Sequence, residues 1–196
     1  NGWMYQSSGR LVRTSPSGSW MEFVAGWLPN PRDIEIRGDF VWWSRGNEGG
    51  SLWRAPKDGT GEPELVMTGM GDVAGIAFDD SGRLLWSEAS DDLIFRAEPT
   101  GGSVEQILNL DDLERGIQAE DIDCCDSSGR WYLAGGRYIV RGRTDGSDAE
   151  LVLDYDEQGH FEKIEIDVAS NRLFVLDSPS DFERLVTLSA DGGDLV

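Results

Sequence analysis

Six carboxylates stand in three i, i+2 pairs along the chain: Asp33 with Glu35, Asp121 with Asp123, and Glu165 with Asp167. Alternate residues of an extended strand point to the same face, so each pair would present two oxygen donors side by side. Oxygen donors converging from several strands suit a hard divalent cation such as calcium. Glu35, Asp123 and Glu165 would then be the metal ligands, with no other cofactor implied. The plainer reading, which the composition favours, is that these are solvated strand positions in a chain rich in acids throughout.

Other residues offer weaker chemistry. His160 is the only histidine and has Asp154, Asp156, Glu157 and Glu162 near it in sequence. A carboxylate-oriented histidine can act as a general base, but no G-x-S-x-G elbow supplies a nucleophile, so an exposed loop histidine is expected. Gly69-Met70-Gly71-Asp72-Val73-Ala74 has the outline of a dinucleotide fingerprint, yet an apolar strand pattern follows it where a helix is needed, so it reads as a connection. Asp154 to Gly159 copies only the opening of a calcium loop. Cys124 and Cys125 are adjacent and cannot staple distant segments. One is expected to be buried and the other to face a turn, the alternative being a vicinal disulfide. Trp42, Trp43, Trp53, Trp86 and Trp131 recur at equivalent places and read as packing. Trp20 and Trp27 fall outside that register and are the aromatic candidates for binding.

Charge narrows the partners. Acids outnumber bases 37 to 17 over 196 residues, a formal net charge of −20. Such a surface repels phosphates and anionic lipid, which argues against nucleic acid. No apolar run approaches the roughly 20 residues of a spanning helix. The first residues have neither a basic nor an apolar leader segment, so any signal peptide would already have been removed.

The elements that must position these groups repeat. An Arg-bearing strand, with glycine five residues on, recurs at Arg13, Arg54, Arg96 and Arg141, and with threonine at Thr187. Upstream of the later anchors lies an aromatic and β-branched strand, as at residues 40–44, 84–88, 131–134 and 173–177. Further upstream is an alternating strand, as at 33–36, 75–78, 121–124 and 163–167, joined to the next by turns such as Ser81-Gly82-Arg83 and Ser170-Asn171-Arg172. A short apolar strand closes each unit. Four strands in about 40 to 45 residues is the period of a propeller blade. A two-sheet sandwich is the alternative, but it has no reason to keep such spacing.

Residues 75–79, 82–88, 94–97 and 101–102, with Leu52-Trp53-Arg54-Ala55-Pro56-Lys57-Asp58-Gly59, resemble the YWTD repeat of low-density-lipoprotein-receptor propellers, and the resemblance covers nearly the whole chain. Leu85-Trp86-Ser87-Glu88 is the nearest copy of the motif core. Phe174-Val175-Leu176-Asp177 keeps its final acid, while Arg45 and Gly135 replace that acid in other units. NHL and lactonase-type propellers are more distant look-alikes. The expectation is an all-β, single propeller domain over 1–196, with units near 1–32, 33–72, 73–117, 118–160 and 161–196, the first lacking its innermost strand. Open edges could be completed by another copy of the chain. The resemblance implies a non-enzymatic, secreted or extracytoplasmic module, and the residues themselves offer Trp20, Trp27, Asp33, Glu35, Asp121, Asp123 and Glu165 for binding a protein or small ligand at the channel face. The alternatives are a metal-dependent hydrolase or lactonase-type enzyme and a self-assembling fragment. Residues 1–32 hold Glu22 against Arg10, Arg13 and Arg32, so this acidic chain opens with a basic, tryptophan-bearing segment.

Overall fold

The computed structural model describes residues 4–7, 10–26, 31–46, 49–155, 159–178 and 183–193, the first four by backbone alone. Strands β1 (Met4–Ser7), β2 (Leu11–Thr14) and β3 (Met21–Ala25) form the first sheet. The second is β4 (Pro31–Arg37), β5 (Phe40–Arg45), β6 (Gly50–Pro56) and β7 (Glu64–Met70). The third is β8 (Val73–Phe78), β9 (Leu84–Glu88), β10 (Leu93–Ala97) and β11 (Glu105–Asn109). The fourth is β12 (Asp121–Cys124), β13 (Arg130–Gly135), β14 (Tyr138–Arg143) and β15 (Glu150–Asp154). The fifth is β16 (Phe161–Asp167), β17 (Arg172–Asp177) and β18 (Arg184–Ser189). Each sheet is an antiparallel meander in chain order, and the sheets are blades of a β-propeller. Among the described residues the first sheet has three strands, and its register matches them to the second, third and fourth strands of the next blade. The glycines of residues 69–71 connect β7 to β8, strand to strand.

Two compact units divide the chain, Asn1–Val73 and Ala74–Val196. In the first, Leu11, Val24 and Ala25 of one blade meet Val41, Trp43 and Ala55 of the next, with Trp53 stacked on Trp43 at 6.4 Å. In the second, Leu85 and Ile94 pack against Ile122, Trp131, Leu133 and Val140, and Tyr132, Ala134 and Ile139 pack against Phe161, Ile164, Leu173 and Val175. The cores therefore lie between consecutive blades, and Trp43, Trp53 and Trp131 belong to them. A fully buried large apolar side chain contributes about 1.5 to 3 kcal/mol, whereas an exposed ion pair contributes under about 1 kcal/mol. Burial between blades therefore stabilises the fold more than the ion pairs at its surface.

Polar joints fix how blades meet. The Arg of each third strand faces a Glu of the fourth: Arg13 and Glu22, Arg54 and Glu64, Arg96 and Glu105, Arg141 and Glu150. The last three pairs close at 2.8 Å, and Arg13 is likewise bonded to Glu22. Beside each pair the fourth strand bulges by one residue, at Val24, Val66, Ile107 and Val152. Within each unit the next blade's glycine turn seats on that bulge. A Cβ on Gly59 would lie 3.0 Å from the Phe23 carbonyl, and one on Gly146 would overlap the Ile107 carbonyl. Both glycines are left-handed, with φ of 76° and 84°. The arginines also reach these turns: Arg13 donates to the Lys57 carbonyl at 2.9 Å and Arg141 to the Ala190 carbonyl at 2.8 Å.

One expectation is corrected. Cys124 and Cys125 are both half-buried and are bonded to each other across a cis peptide, so neither is a separate buried thiol.

Gly146→Val should destabilise the protein by about 3 kcal/mol, because a β-branched residue is strained at this φ and meets backbone. Gly102→Ala, whose Cβ meets nothing closer than 4.0 Å, should change stability by under about 1 kcal/mol, and urea titration of the two variants beside the wild type measures both. The pH dependence is also determined. Hydrogen bonds from Arg141 and Arg130 hold the Glu150 carboxyl below its ordinary range, as Arg96 does for Glu105. Their stabilisation is complete above the unfolded carboxylate range and is lost as pH falls through the lowered folded values. The thermal midpoint should drop on acidification below about pH 4.5, and Glu150→Gln should start lower at neutral pH and lose less.

Candidate functional site

The innermost strands carry the candidate carboxylates. In the second unit β12 and β16 lie side by side, and the side chains of β12 reach the backbone of β16. The carboxylate of buried Asp121 accepts the Ile164 N–H at 2.9 Å and the Lys163 ammonium at 3.2 Å. The carboxylate of buried Asp123 accepts the Ile166 N–H at 2.7 Å and the Cys124 N–H at 2.7 Å. Side-chain alternation aims both acids in the same direction, two residues apart, and the donors they meet are also two residues apart. Glu165 is exposed on β16. In the third blade Gly75 stands at the position equivalent to Asp121, and a Cβ there would come within 2.5 Å of an Asp121 carboxylate oxygen.

In the first unit Asp33 and Glu35 are half-buried on β4. Asp33 donates its N–H to the Ser44 hydroxyl at 3.1 Å, and the Glu35 carboxylate accepts the Ile36 N–H at 2.7 Å. Glu35 thus belongs to one unit, and Asp123 and Glu165 to the other. Among the described residues no three His, Cys, Asp or Glu side chains cluster as a metal-binding group. Trp20 is half-exposed at the start of β3, and Trp27 lies outside the described residues.

Sequence reasoning overlooked a second set of polar contacts. The hydroxyls of Ser44 and Ser87 accept the N–H groups of Asp33 and Gly75 at the entry to the innermost strands. Fully buried Asp177 does the same for His160 at 2.9 Å and is paired with Arg184 at 2.8 Å. Buried Glu88, the other retained motif acid, accepts the indole N–H of Trp86 at 2.9 Å. The signal was the small polar residue just before the motif acid, which recurs as Ser44 and Ser87. The His160 ring stands 3.7 Å from Glu162, and both side chains are exposed. Nearby in the fourth blade, Tyr132 donates to Asp126 at 2.7 Å. Burial and that carboxylate push the phenol up. Asp126 sits below its ordinary range, because burial is outweighed by hydrogen bonds from Ser128, Arg130 and Tyr132.

Comparison with solved structures gives the same architecture. A YWTD-repeat propeller chain of the nidogen/laminin complex superposes with a TM-score of 0.81 at 20% identity, over 98% of this chain and 76% of that one. A gluconolactonase from Xanthomonas campestris superposes with a TM-score of 0.69 at 17% identity, over 87% of this chain and 63% of its own. YCF48 in a peptide-bound structure gives 0.61 at 15% identity, over 98% and 62%. No family model matches the chain, and no curated protein matches it. The chain is a β-propeller similar in fold to both binding proteins and lactonases.

Asp123→Ala should cost about 2 kcal/mol by leaving two N–H groups without their acceptor, while Glu165→Ala should cost under about 1 kcal/mol. A ligand set held open for a cation predicts the opposite sign for Asp123 in metal-free protein, since removing one of several converging acids relieves repulsion. Chemical denaturation in the presence of a chelator distinguishes the two.

Proposed function

We propose that the chain is a non-enzymatic propeller that serves as a protein-interaction module. The observation that carries this reading is the bonding of Asp121 and Asp123 to the backbone of β16. These acids hold two blades in register, and a cation there would have to displace the N–H donors they already accept. A rigid blade scaffold with loops and rim strands exposed is suited to presenting a surface. The nidogen/laminin and peptide-bound YCF48 structures are consistent with a protein partner. The same reading, following the resemblance, puts the site of action outside the cytoplasm.

Titration calorimetry with calcium and with manganese tests it against the hydrolase or lactonase alternative. No heat at millimolar metal is the expected result. Tight one-site binding that Asp123→Ala abolishes would overturn the interaction reading in favour of a metal enzyme using Glu35, Asp123 or Glu165. Sedimentation velocity addresses the self-assembling alternative, and a monomer at micromolar concentration is expected.

A further inference from the structure

Cys124 and Cys125 are the only cysteines of the chain, so no other thiol of the protein can exchange with their disulfide. The chain-entropy stabilisation of a disulfide grows with the loop it closes, and a bond between adjacent residues closes the shortest loop there is. Whatever this bond does is therefore local.

Comparison of two hairpins shows what it holds. In the third and fourth blades the turns after the innermost strand are built alike: Asp79 accepts the Ser81 hydroxyl and the Arg83 N–H, and Asp126 accepts the Ser128 hydroxyl and the Arg130 N–H. Asp79 directly follows Phe78, the last residue of β8, whereas Cys125 intervenes between Asp126 and Cys124, the last residue of β12. The fourth blade thus carries an extra residue here, and the disulfide fastens it to the end of the strand.

Carboxylates that serve the joint with the fifth blade flank the bond on both sides. Asp123 accepts the Cys124 N–H with one side-chain oxygen and the Ile166 N–H of β16 with the other, each at 2.7 Å. Asp126 accepts the Tyr132 hydroxyl at 2.7 Å, and buried Tyr132 belongs to the core that the fourth blade shares with Phe161, Ile164 and Val175. Both cysteines are half-buried rather than enclosed, which leaves the bond open to an attacking thiolate.

We propose that Cys124 and Cys125 form a thiol–disulfide exchange site through which a dithiol reductant loosens the joint between the fourth and fifth blades. One thiolate of the reductant attacks a cysteine sulfur, the Cys124–Cys125 bond breaks, and the released cysteine takes up a proton. The second thiol of the reductant gives up its proton and displaces the other cysteine, which is protonated in turn. Two electrons and two protons have then passed to the protein, and the reductant leaves as a disulfide. Without the bond the extra residue is no longer fixed to β12, and the backbone bearing Asp123 and the Cys124 N–H can move away from Ile166. The device is independent of the interaction-module reading.

The test uses the intact folded chain with dithiothreitol as the reductant. Alkylation in denaturant followed by mass measurement should find both cysteines blocked in protein purified under air, and both alkylated after native incubation with millimolar dithiothreitol. Amide hydrogen exchange followed by NMR should show the Ile166 N–H exchanging about tenfold faster or more in the reduced protein. The amides of β9 and β10 in the third blade should be unchanged, and reoxidation with glutathione disulfide should restore the slow rate. The double variant Cys124→Ser/Cys125→Ser should exchange at the fast rate with or without dithiothreitol; if it does not fold, the redox cycle of the wild type decides alone. Two free thiols in the air-purified protein, a bond that dithiothreitol does not reach in the folded chain, or an Ile166 rate that reduction leaves unchanged would each overturn the proposal. Faster exchange that extends equally through β9 and β10 overturns it too, because that is loss of the fold rather than of one joint. None of these outcomes bears on the calorimetry that tests the interaction module.

Discussion

The seating of a left-handed glycine turn on the bulged outer strand of the preceding blade is the contact on which the blade-to-blade geometry depends. A regular fourth strand would carry its backbone straight past the neighbouring blade. The extra residue at Val24, Ile107 or Val152 bends it, and the turn at Gly59, Gly146 or Gly192 fills the bend. Bulges increase local twist and re-aim a strand, which is what a wedge-shaped blade requires at its rim. The arginine one strand further in then serves two purposes, holding its own fourth strand through a Glu and the next blade's turn through a carbonyl. Hydrogen bonds from a charged donor are worth about 1.5 to 3 kcal/mol, so the joint is directional where the apolar core between blades is not.

At the inner end of the same blades, carboxylates replace arginines as the connecting groups. Asp121 and Asp123 accept N–H groups from the neighbouring strand, and Asp177, Ser44 and Ser87 accept N–H groups at the strand entries. Innermost strands of adjacent blades approach closely but do not pair as a sheet, so their backbone donors need side-chain acceptors. Rim and centre are thus solved differently. Long arginines span the wide gap at the outside, and short acids or hydroxyls suffice where the blades converge.

Much of this was readable from sequence. Four-strand units, their period and the tight hairpins all follow from alternation and turn residues, which are local signals. Asn171 takes the same left-handed conformation as Gly82 and Gly129, as its place in the repeat implies. What was not readable is which groups meet across blades. The Arg and the glycine five residues later form a visible pair in sequence, yet Arg141 bonds not its own Gly146 turn but a carbonyl in the turn 49 residues on. The i, i+2 spacing of Asp121 and Asp123 establishes that they share a face. It carries no information about the N–H groups of β16 waiting there, because a backbone donor has no signature in the residue type that bears it. The cysteine pair failed for a similar reason, since adjacency in sequence does not reveal whether the two side chains turn toward each other.

The acidity itself acquires a structural origin from these contacts. A carboxylate that accepts a backbone N–H gains stabilisation that needs no basic side chain, so acids can outnumber bases without leaving charge unsatisfied. Asp79 and Asp126 accept from Arg83 and Arg130 main-chain N–H groups in equivalent hairpin turns, and Asp58 and Asp145 accept from Thr60 and Ser147 in equivalent rim turns. Hydrogen bonds from those Thr and Ser residues hold Asp58 and Asp145 below the ordinary carboxylate range. An acid repeated by the blade motif multiplies with blade number, and so does the net charge. The rim turns of the first and third blades have Ser17 and Thr100 in the place of Asp58 and Asp145, and in the first Ser15, Ser17 and Ser19 bond among themselves while Ser15 accepts the Trp20 N–H. In the first blade's turn the Ser15 hydroxyl thus does for the Trp20 N–H what Asp58 and Asp145 do for Thr60 and Ser147.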